Sequence, residues 1–254
     1  MSASLRARVL PDYGAMSAAA ADLVTAKLRE RPHAVFMVPT GTTPLGMYRR
    51  LVARHEEDGL SFALATFFNL DEYMGLPPDH PASYHVYMRE NFYGRVDVDP
   101  GKVHVPDGFA PDPEAECGRY EKEIRAAGGV DLCVLGIGRN GHVGFNEPGA
   151  SFGSRTRVVR LAESTRRVNA ADFEGGRAPE RAISVGMRTI SDSREVLLLA
   201  SGANKAGAVA AAVGGGVSEE VPASALRHHP NVSFLLDRGA ASGLGGSMTE
   251  GRPA

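Results

Sequence analysis

Apolar residues recur along the chain in two alternating patterns. Short consecutive apolar runs are typical of strands buried on both faces of a parallel sheet, and three- to four-residue spacing is typical of helices. The runs predict strands at Leu5–Leu10, His33–Val38, Phe62–Leu70, Val103–Val105, Asp131–Leu135, Thr156–Leu161, Ala182–Val185, Val196–Leu199 and Val232–Leu236. The spaced segments predict helices at Tyr13–Glu30, Leu45–Arg54, Ser83–Tyr93, Pro113–Ala127, Thr165–Phe173 and Lys205–Val213.

This alternation of strands and helices predicts the fold class. It indicates an α/β protein with a three-layer, mostly parallel, Rossmann-like sheet and helices on both faces. We assign residues 1–237 to a single domain. Residues 238–254 are rich in Gly, Ala and Ser, and we expect them to form a flexible C-terminal tail.

Composition excludes several classes of partner. The 254 residues carry a formal net charge of −2, which gives no electrostatic case for nucleic acid or an anionic membrane. No apolar run approaches the roughly 20 residues that span a bilayer, and the N-terminus lacks a signal-peptide pattern. Cys117 and Cys133 give no disulfide framework. We therefore expect a soluble cytoplasmic protein without nucleic-acid or membrane partners.

The stretch from Asp131 to Pro148 carries the best candidate active site. An apolar strand is followed by a glycine-rich loop that contains His142 and Glu147. Ligands of open α/β sheets bind beyond the carboxyl ends of the strands. An imidazole there can exchange protons near neutral pH, and a neighbouring carboxylate can fix its tautomer. The alternatives are a tight surface turn or a buried histidine bound to backbone.

Two other interpretations of this loop are disfavoured. Gly136, Gly138 and Gly141 have the spacing of a dinucleotide-binding fingerprint, but that motif requires a helix to begin there, and further glycines and a proline oppose one. His142 and Glu147 have no second histidine or cysteine at metal-ligand spacing. We expect neither a nucleotide nor a metal.

The turn after the second predicted strand is a candidate phosphate site. Backbone N–H groups at a helix N-terminus favour an anion, and Thr40, Thr42 and Thr43 add hydroxyls around Gly41. The segment is not a Walker A loop, because Met47 occupies the position of the required lysine. The alternative is an ordinary turn with threonine caps.

Two charged residues complete the candidate set. Asp71 follows a nearly all-apolar run, where burial would raise its pKa from about 3.9 toward the value that a proton-abstracting base needs. The alternative is that Asp71 and Glu72 are solvated loop acids. Lys205 begins a predicted helix and can balance a phosphate charge, although an exposed surface lysine remains the alternative.

Several motifs together resemble the glucosamine-6-phosphate deaminase family, in the superfamily shared with 6-phosphogluconolactonase. The resemblance extends from about Val38 to Asp237. The motifs are PTGTTPLG, FNLDEYMGL, HPASY, LGIGRNGHVGFNEPG, SRT, SVGMRTI and SGANKA, in that order. The lactonases have a Leu-Phe-Pro type sequence where this chain has Asn146-Glu147-Pro148, the deaminase form.

The resemblance implies conversion of glucosamine 6-phosphate to fructose 6-phosphate and ammonia, without metal or organic cofactor. His142 would open the sugar ring, with Glu147 holding it. Asp71 would move a proton from C2 to C1. The Thr40–Thr43 turn and Lys205 would hold the phosphate.

Two departures from the family pattern affect these expectations. Many members have aspartate where this chain has Asn140, which we expect to be a positioning residue with a changed pH profile. Members usually have a phosphate-gripping arginine that aligns with Ala171, and Arg166 or Arg167 is the candidate substitute.

The resemblance leaves several alternatives open. Of the allosteric pocket known in some members, Arg157 matches but Val159 does not, which disfavours control by an amino-sugar effector. The substrate could be a related compound such as galactosamine 6-phosphate. A lactonase and a non-catalytic sugar-phosphate sensor are further alternatives. Family members are often assembled, so a homo-oligomer also stays open.

Overall fold

The computed structural model describes residues 5–173 and 175–245. Each predicted strand and helix is present, most of them with shifted ends, and the helix Tyr13–Glu30 has the predicted bounds. The strands are β1 (Arg6–Leu10), β2 (Val35–Val38), β3 (Thr66–Asn69), β4 (Asp71–Tyr73), β5 (Val103–His104), β6 (Leu132–Gly136), β7 (Arg157–Arg160), β8 (Arg181–Ser184), β9 (Glu195–Ala200) and β10 (Val232–Asp237). The α-helices are α1 (Tyr13–Glu30), α2 (Leu45–Asp58), α3 (Tyr84–Asn91), α4 (Pro113–Ala126), α5 (Glu163–Asn169), α6 (Met187–Ser191), α7 (Ala206–Gly214) and α8 (Arg238–Ala241).

Seven strands form one parallel sheet in the order β1-β10-β9-β6-β2-β3-β5. Successive residues of its central strands enter opposite cores, since side chains alternate across a strand. On β6, Cys133 and Leu135 pack with α4, α6, α7 and α8, whereas Leu132 and Val134 pack with α1, α2 and α3. The predicted three-layer, mostly parallel single-domain fold is confirmed.

A second sheet lies beside the main one. β4, β8 and β7 pair antiparallel, with Asp71 opposite Ser184. The predicted strand Phe62–Leu70 therefore ends at Asn69, and the chain leaves the main sheet to begin β4. Tyr73 of β4 packs in a small core with Phe145 and Phe173.

The predicted tail begins too early. Asp237 accepts a hydrogen bond from the Ala240 N–H and so caps α8, and Ala240 and Ala241 are buried in the main core. Residues 238–245 thus include a packed helix, because small apolar side chains fit closely against β1 and α7. Residues 246–254 of the predicted tail lie outside the described residues. Within the described ranges, no helix has the length and apolar character to cross a membrane.

The strand order places a crevice at the centre of the main sheet. From β2 the chain moves outward to β3 on one side, whereas β6 lies on the other side of β2. The loops that leave the carboxyl ends of β2 and β6 therefore diverge. Such a switch point is where open α/β sheets bind ligands.

Candidate active site

A cavity of about 620 Å³ opens at this switch point. Its walls are the loop after β2, the start of β4, the loop after β6, and α5 with the turn that follows it. The predicted site residues that line it are Thr40, Gly41, Thr42, Thr43, Asp71, Asn140, His142 and Lys205. Glu147, the remaining predicted residue, lies behind His142.

His142 is held by a short chain of polar side chains. Its Nδ1 lies 2.7 Å from Asn140 Oδ1, and Asn140 Nδ2 donates to Glu147 Oε2 at 2.7 Å. Because an amide oxygen only accepts, Nδ1 carries the proton of the neutral imidazole. Nε2 is therefore the basic nitrogen, and within residues 5–173 and 175–245 it has no hydrogen-bond partner.

Glu147 completes this row of hydrogen-bonded side chains in its ionised form, as a carboxylate. Burial alone would raise its pKa, but hydrogen bonds from His142, Thr165 and Asn140, and attraction to His142 in its protonated form, lower the pKa to about 2. Glu147 Oε2 lies 3.4 Å from His142 Nδ1, and Thr165 Oγ1 donates to Oε1 at 2.5 Å. A fixed negative charge thus lies on the side of the imidazole away from Nε2 and stabilises the imidazolium.

Asp71 is a buried acid that lies against the His142 loop. Gly144 of this loop has φ +55°, which favours glycine, and a Cβ atom there would lie 3.4 Å from Asp71 Oδ2, in ordinary van der Waals contact. Asp71 is only 5% exposed, and burial raises its pKa to about 7. A carboxylate with that pKa can take and return a proton near neutral pH.

The neighbouring Glu72 has a different environment. Burial raises its pKa to about 8, although backbone N–H groups partly offset the shift. Its Oε2 accepts from the N–H groups of Tyr84 and His85 at the start of α3. Glu72 therefore ties α3 to β4 and does not line the cavity, so neither acid is the solvated loop residue of the alternative interpretation.

The far end of the cavity is cationic. Lys205 Nζ donates to Ile137 O at 2.7 Å. Burial, and then the nearby positive charge of Arg139, lower the pKa of Lys205. Arg139 also lines the cavity and was missed by the sequence analysis, although a charged side chain inside a glycine-rich loop was a usable signal. Two cations thus line the same cavity as the Thr40–Thr43 turn.

The two candidate substitutes for the family arginine, Arg166 and Arg167, have different surroundings in the structure. Ala171 lies in a single 3-10 turn, Ala170–Asp172, after α5. Arg166 pairs with Glu180 at 3.5 Å and does not line the cavity. Arg167 does line it, but its side chain is 77% exposed and bound to Glu163. Arg139 is the better-placed cation.

Other polar side chains at the cavity were also missed. Tyr84 lines it, and Tyr84 Oη donates to Tyr73 Oη at 3.2 Å. Asn169 donates to the same Tyr73 oxygen at 2.7 Å. The sequence gives only weak evidence that these residues line a cavity, because a tyrosine or asparagine in a helix most often serves only packing or capping. Arg157, by contrast, donates to buried Asn146 at 2.9 Å and holds the loop from behind.

The excluded ligand classes can be compared with the geometry. No helix begins in residues 137–156, so Gly136, Gly138 and Gly141 do not form a dinucleotide-binding turn. Gly138 instead makes room for His142, since a Cβ atom there would lie 2.2 Å from the ring. Across the described ranges there is no cluster of three or more His, Cys, Asp or Glu side chains suited to a metal ion.

A family model for glucosamine-6-phosphate isomerases and 6-phosphogluconolactonases matches residues 13–234. The chain belongs to this family. Within it, the chain is 47% identical over 239 residues to a glucosamine-6-phosphate deaminase of Halothermothrix orenii, a match that covers 94% of this chain and 99% of that protein. It is 48% identical over 231 residues to glucosamine-6-phosphate deaminase 1 of Bacillus subtilis, with 91% and 96% covered.

Solved structures of the same family agree in fold. A monomeric glucosamine-6-phosphate deaminase superposes with a TM-score of 0.92 at 46% identity and covers 94% of this chain and 100% of that one. A 6-phosphogluconolactonase from Trypanosoma cruzi superposes with a TM-score of 0.78 at 20% identity, with 96% and 98% covered. The second likeness concerns the fold alone.

Proposed function

We propose that this protein is an amino-sugar-phosphate deaminase that converts glucosamine 6-phosphate to fructose 6-phosphate and ammonia. One observation carries the proposal. A buried acid with a raised pKa, a histidine whose Nε2 has no partner among the described residues, and two cations with the Thr40–Thr43 turn share one cavity in a chain about 47% identical to deaminases.

Ring opening is the first step. His142 Nε2 accepts the proton of the anomeric hydroxyl and returns it to the ring oxygen, which breaks the C1–O5 bond and leaves an open-chain aldehyde. The Asn140 carbonyl and the Glu147 carboxylate favour a proton on Nδ1 and stabilise the imidazolium that forms between the two transfers.

Proton transfer between carbons is the second step. Asp71 removes the C2 proton, the electron pair shifts toward C1, and a proton passes from the C2 ammonium group of the substrate to O1, which gives a neutral enolamine and a protonated Asp71. The acid then delivers its proton to C1, which regenerates the carboxylate and leaves an iminium group at C2. Water adds to that carbon, and ammonia departs to give the ketose. Burial of Asp71 suits this role, because the group must be both base and acid near pH 7.

The phosphate is held at the opposite end. Lys205 and Arg139 supply two positive charges, and the Thr40–Thr43 turn supplies backbone N–H groups and hydroxyls. Charge-assisted bonds of this kind are about twice as strong as neutral ones. They fix one end of the sugar so that C1 and C2 lie between Asp71 and His142.

An ammonia-release assay tests the proposal. Glucosamine 6-phosphate, galactosamine 6-phosphate, both N-acetylated forms and unphosphorylated glucosamine are compared side by side. Fructose 6-phosphate is quantified as the second product, and a 6-phosphogluconolactone hydrolysis assay runs in parallel. We expect stoichiometric ammonia and fructose 6-phosphate from glucosamine 6-phosphate. Tight ligand binding without ammonia, or turnover of the lactone alone, contradicts the proposal.

A further inference from the structure

Tyrosine hydroxyls from three different helices bind the backbone of the turn after β2. Each hydroxyl donates to a different carbonyl oxygen of the turn, and the three tyrosines belong to α1, α2 and α3. The bonds run from Tyr48 to Pro39 O at 2.5 Å, from Tyr87 to Gly41 O at 2.5 Å, and from Tyr13 to Thr42 O at 3.1 Å.

The Tyr13 hydroxyl also accepts a bond from the Gly46 N–H at 2.7 Å. It therefore connects the turn to the first turn of α2, whose N–H groups lack partners within the helix. Gly46 leaves the necessary space. A Cβ atom there would lie 3.0 Å from the Tyr13 ring and 2.2 Å from Ser17 Oγ.

The backbone N–H groups of residues 40–43, in the same turn, donate to no protein acceptor within residues 5–173 and 175–245. Gly41 has φ +91°, which glycine adopts without strain. A peptide whose carbonyl is bound by a hydroxyl resists rotation, so its N–H keeps its direction and its oxygen does not turn toward an incoming anion.

We infer that Tyr13, Tyr48 and Tyr87 are positioning residues, which hold the carbonyls of the turn so that its N–H groups bind the substrate phosphate. The inference rests on the proposed function for the identity of the sugar, but not for the binding of an anion. Burial raises the pKa values of Tyr48 and Tyr87, so both hydroxyls stay protonated donors.

The test removes single hydroxyls. Tyr13→Phe and Tyr87→Phe are suitable because both side chains are only half-buried, whereas Tyr48 is fully buried. Tyr93→Phe is the matched control, since Tyr93 is also half-buried and its Oη donates to the Asn69 side chain and not to the turn. For each protein, the Kd of inorganic phosphate is measured by calorimetry, and kcat and KM are measured with glucosamine 6-phosphate.

We expect each single change at the turn to weaken phosphate binding and raise KM roughly three- to tenfold, with kcat within about twofold. The double variant should lose more, and the control should keep the wild-type Kd. Unchanged phosphate affinity in both single variants, an equal loss in the control, or no phosphate binding by the wild type overturns the inference. If the wild type releases no ammonia yet the tyrosine variants lose phosphate affinity, the proposed function fails and the inference stands.

Discussion

Asn140 Oδ1 lies 2.7 Å from His142 Nδ1, so the side chain that orients the imidazole is a neutral amide. The same amide donates to Glu147, whose carboxylate supplies the negative charge. Position and charge are thus supplied by two different residues. Where the orienting residue is an aspartate, one side chain provides both.

Asn140→Asp tests this division. It would place a second carboxyl about as close to Glu147 as the present 2.7 Å hydrogen bond. Two carboxylates that close share a proton and titrate as a pair. We expect an active variant whose kcat/KM profile between about pH 5 and 9 has one more ionisation than the wild type. Asn140→Leu, which keeps the volume and removes both bonds, should lower kcat on the order of 100-fold. Identical profiles for Asn140→Asp and wild type would contradict the prediction.

Asp71→Asn separates catalysis from binding. The amide keeps the shape of the side chain but cannot accept the C2 proton. We expect kcat to fall by roughly 10²- to 10⁴-fold, with KM within about threefold. In the wild type, activity should rise through a pH near 7, because Asp71 must lose its proton to act as a base. Steady-state kinetics measures kcat and KM, and competitive inhibition by inorganic phosphate measures binding in the variant independently of turnover. Near-normal kcat in the variant would remove Asp71 from the role.

The same substitution should stabilise the protein at high pH. The unfolded Asp71 titrates near 3.9, and the folded group near 7, so the folded state holds one more proton between these values. Stability supplied by that proton is present below pH ~4 and is lost as pH rises through 7. The amide of the variant does not ionise. The free energy of unfolding of the variant, relative to that of the wild type, should therefore increase by on the order of 2 kcal/mol from pH 5 to pH 8. Thermal unfolding at both values measures it, with Asp79→Asn as the same change at an exposed position. An advantage that stays constant with pH would show that Asp71 does not ionise in this range.

The sequence predicted the elements whose signal is local. Consecutive apolar residues marked the strands of the main sheet, since burial on both faces leaves no polar alternation. The helices α6 and α8 were missed because five and four residues are too few to show a helical period. The strand β4 was missed because its partner, β8, is distant in sequence, so nothing local shows that the chain leaves the main sheet after Asn69.

The cavity was foreseen for a different reason. Asp71 stands directly after a predicted strand, and His142 and Lys205 lie in the segments that follow two other predicted strands. Strand ends of a parallel sheet meet at one edge. The tyrosines of α1, α2 and α3 were not foreseen, because their positions depend on how the helices pack. Arg139 was overlooked, although its place in the glycine-rich loop was a usable signal. The Tyr87 hydroxyl binds a carbonyl oxygen 46 residues earlier in the chain, and a contact over that distance produces no periodic pattern in the sequence.

Arg139→Ala should weaken substrate binding more than the same change at either arginine of α5. Arg139 lies in the cavity near Lys205, whereas Arg167 is largely exposed and bound to Glu163. Hydrogen bonds to charged groups contribute about 1.5–3 kcal/mol, so we expect KM for glucosamine 6-phosphate to rise roughly 10- to 100-fold with little change in kcat. Arg166→Ala is the matched control, because its side chain pairs with Glu180 away from the cavity. A larger KM effect at Arg167 than at Arg139 would reverse the assignment.

Gly138→Ala should inactivate the site by displacing the His142 ring. The added Cβ atom would lie 2.2 Å from His142 Cε1 and 2.3 Å from Nδ1, closer than atoms approach without a shift of one group. The imidazole must then shift, which disturbs its 2.7 Å hydrogen bond with Asn140. We expect kcat to fall on the order of 100-fold, as for removal of a general base, while phosphate affinity stays within about threefold. Gly118→Ala makes the same change inside α4, where no atom lies within 4 Å, and should keep full activity with a gain in helix stability of up to about 1 kcal/mol. Full activity in Gly138→Ala would mean that the ring does not need its present position, and the role assigned to the Asn140–His142 bond would fail with it.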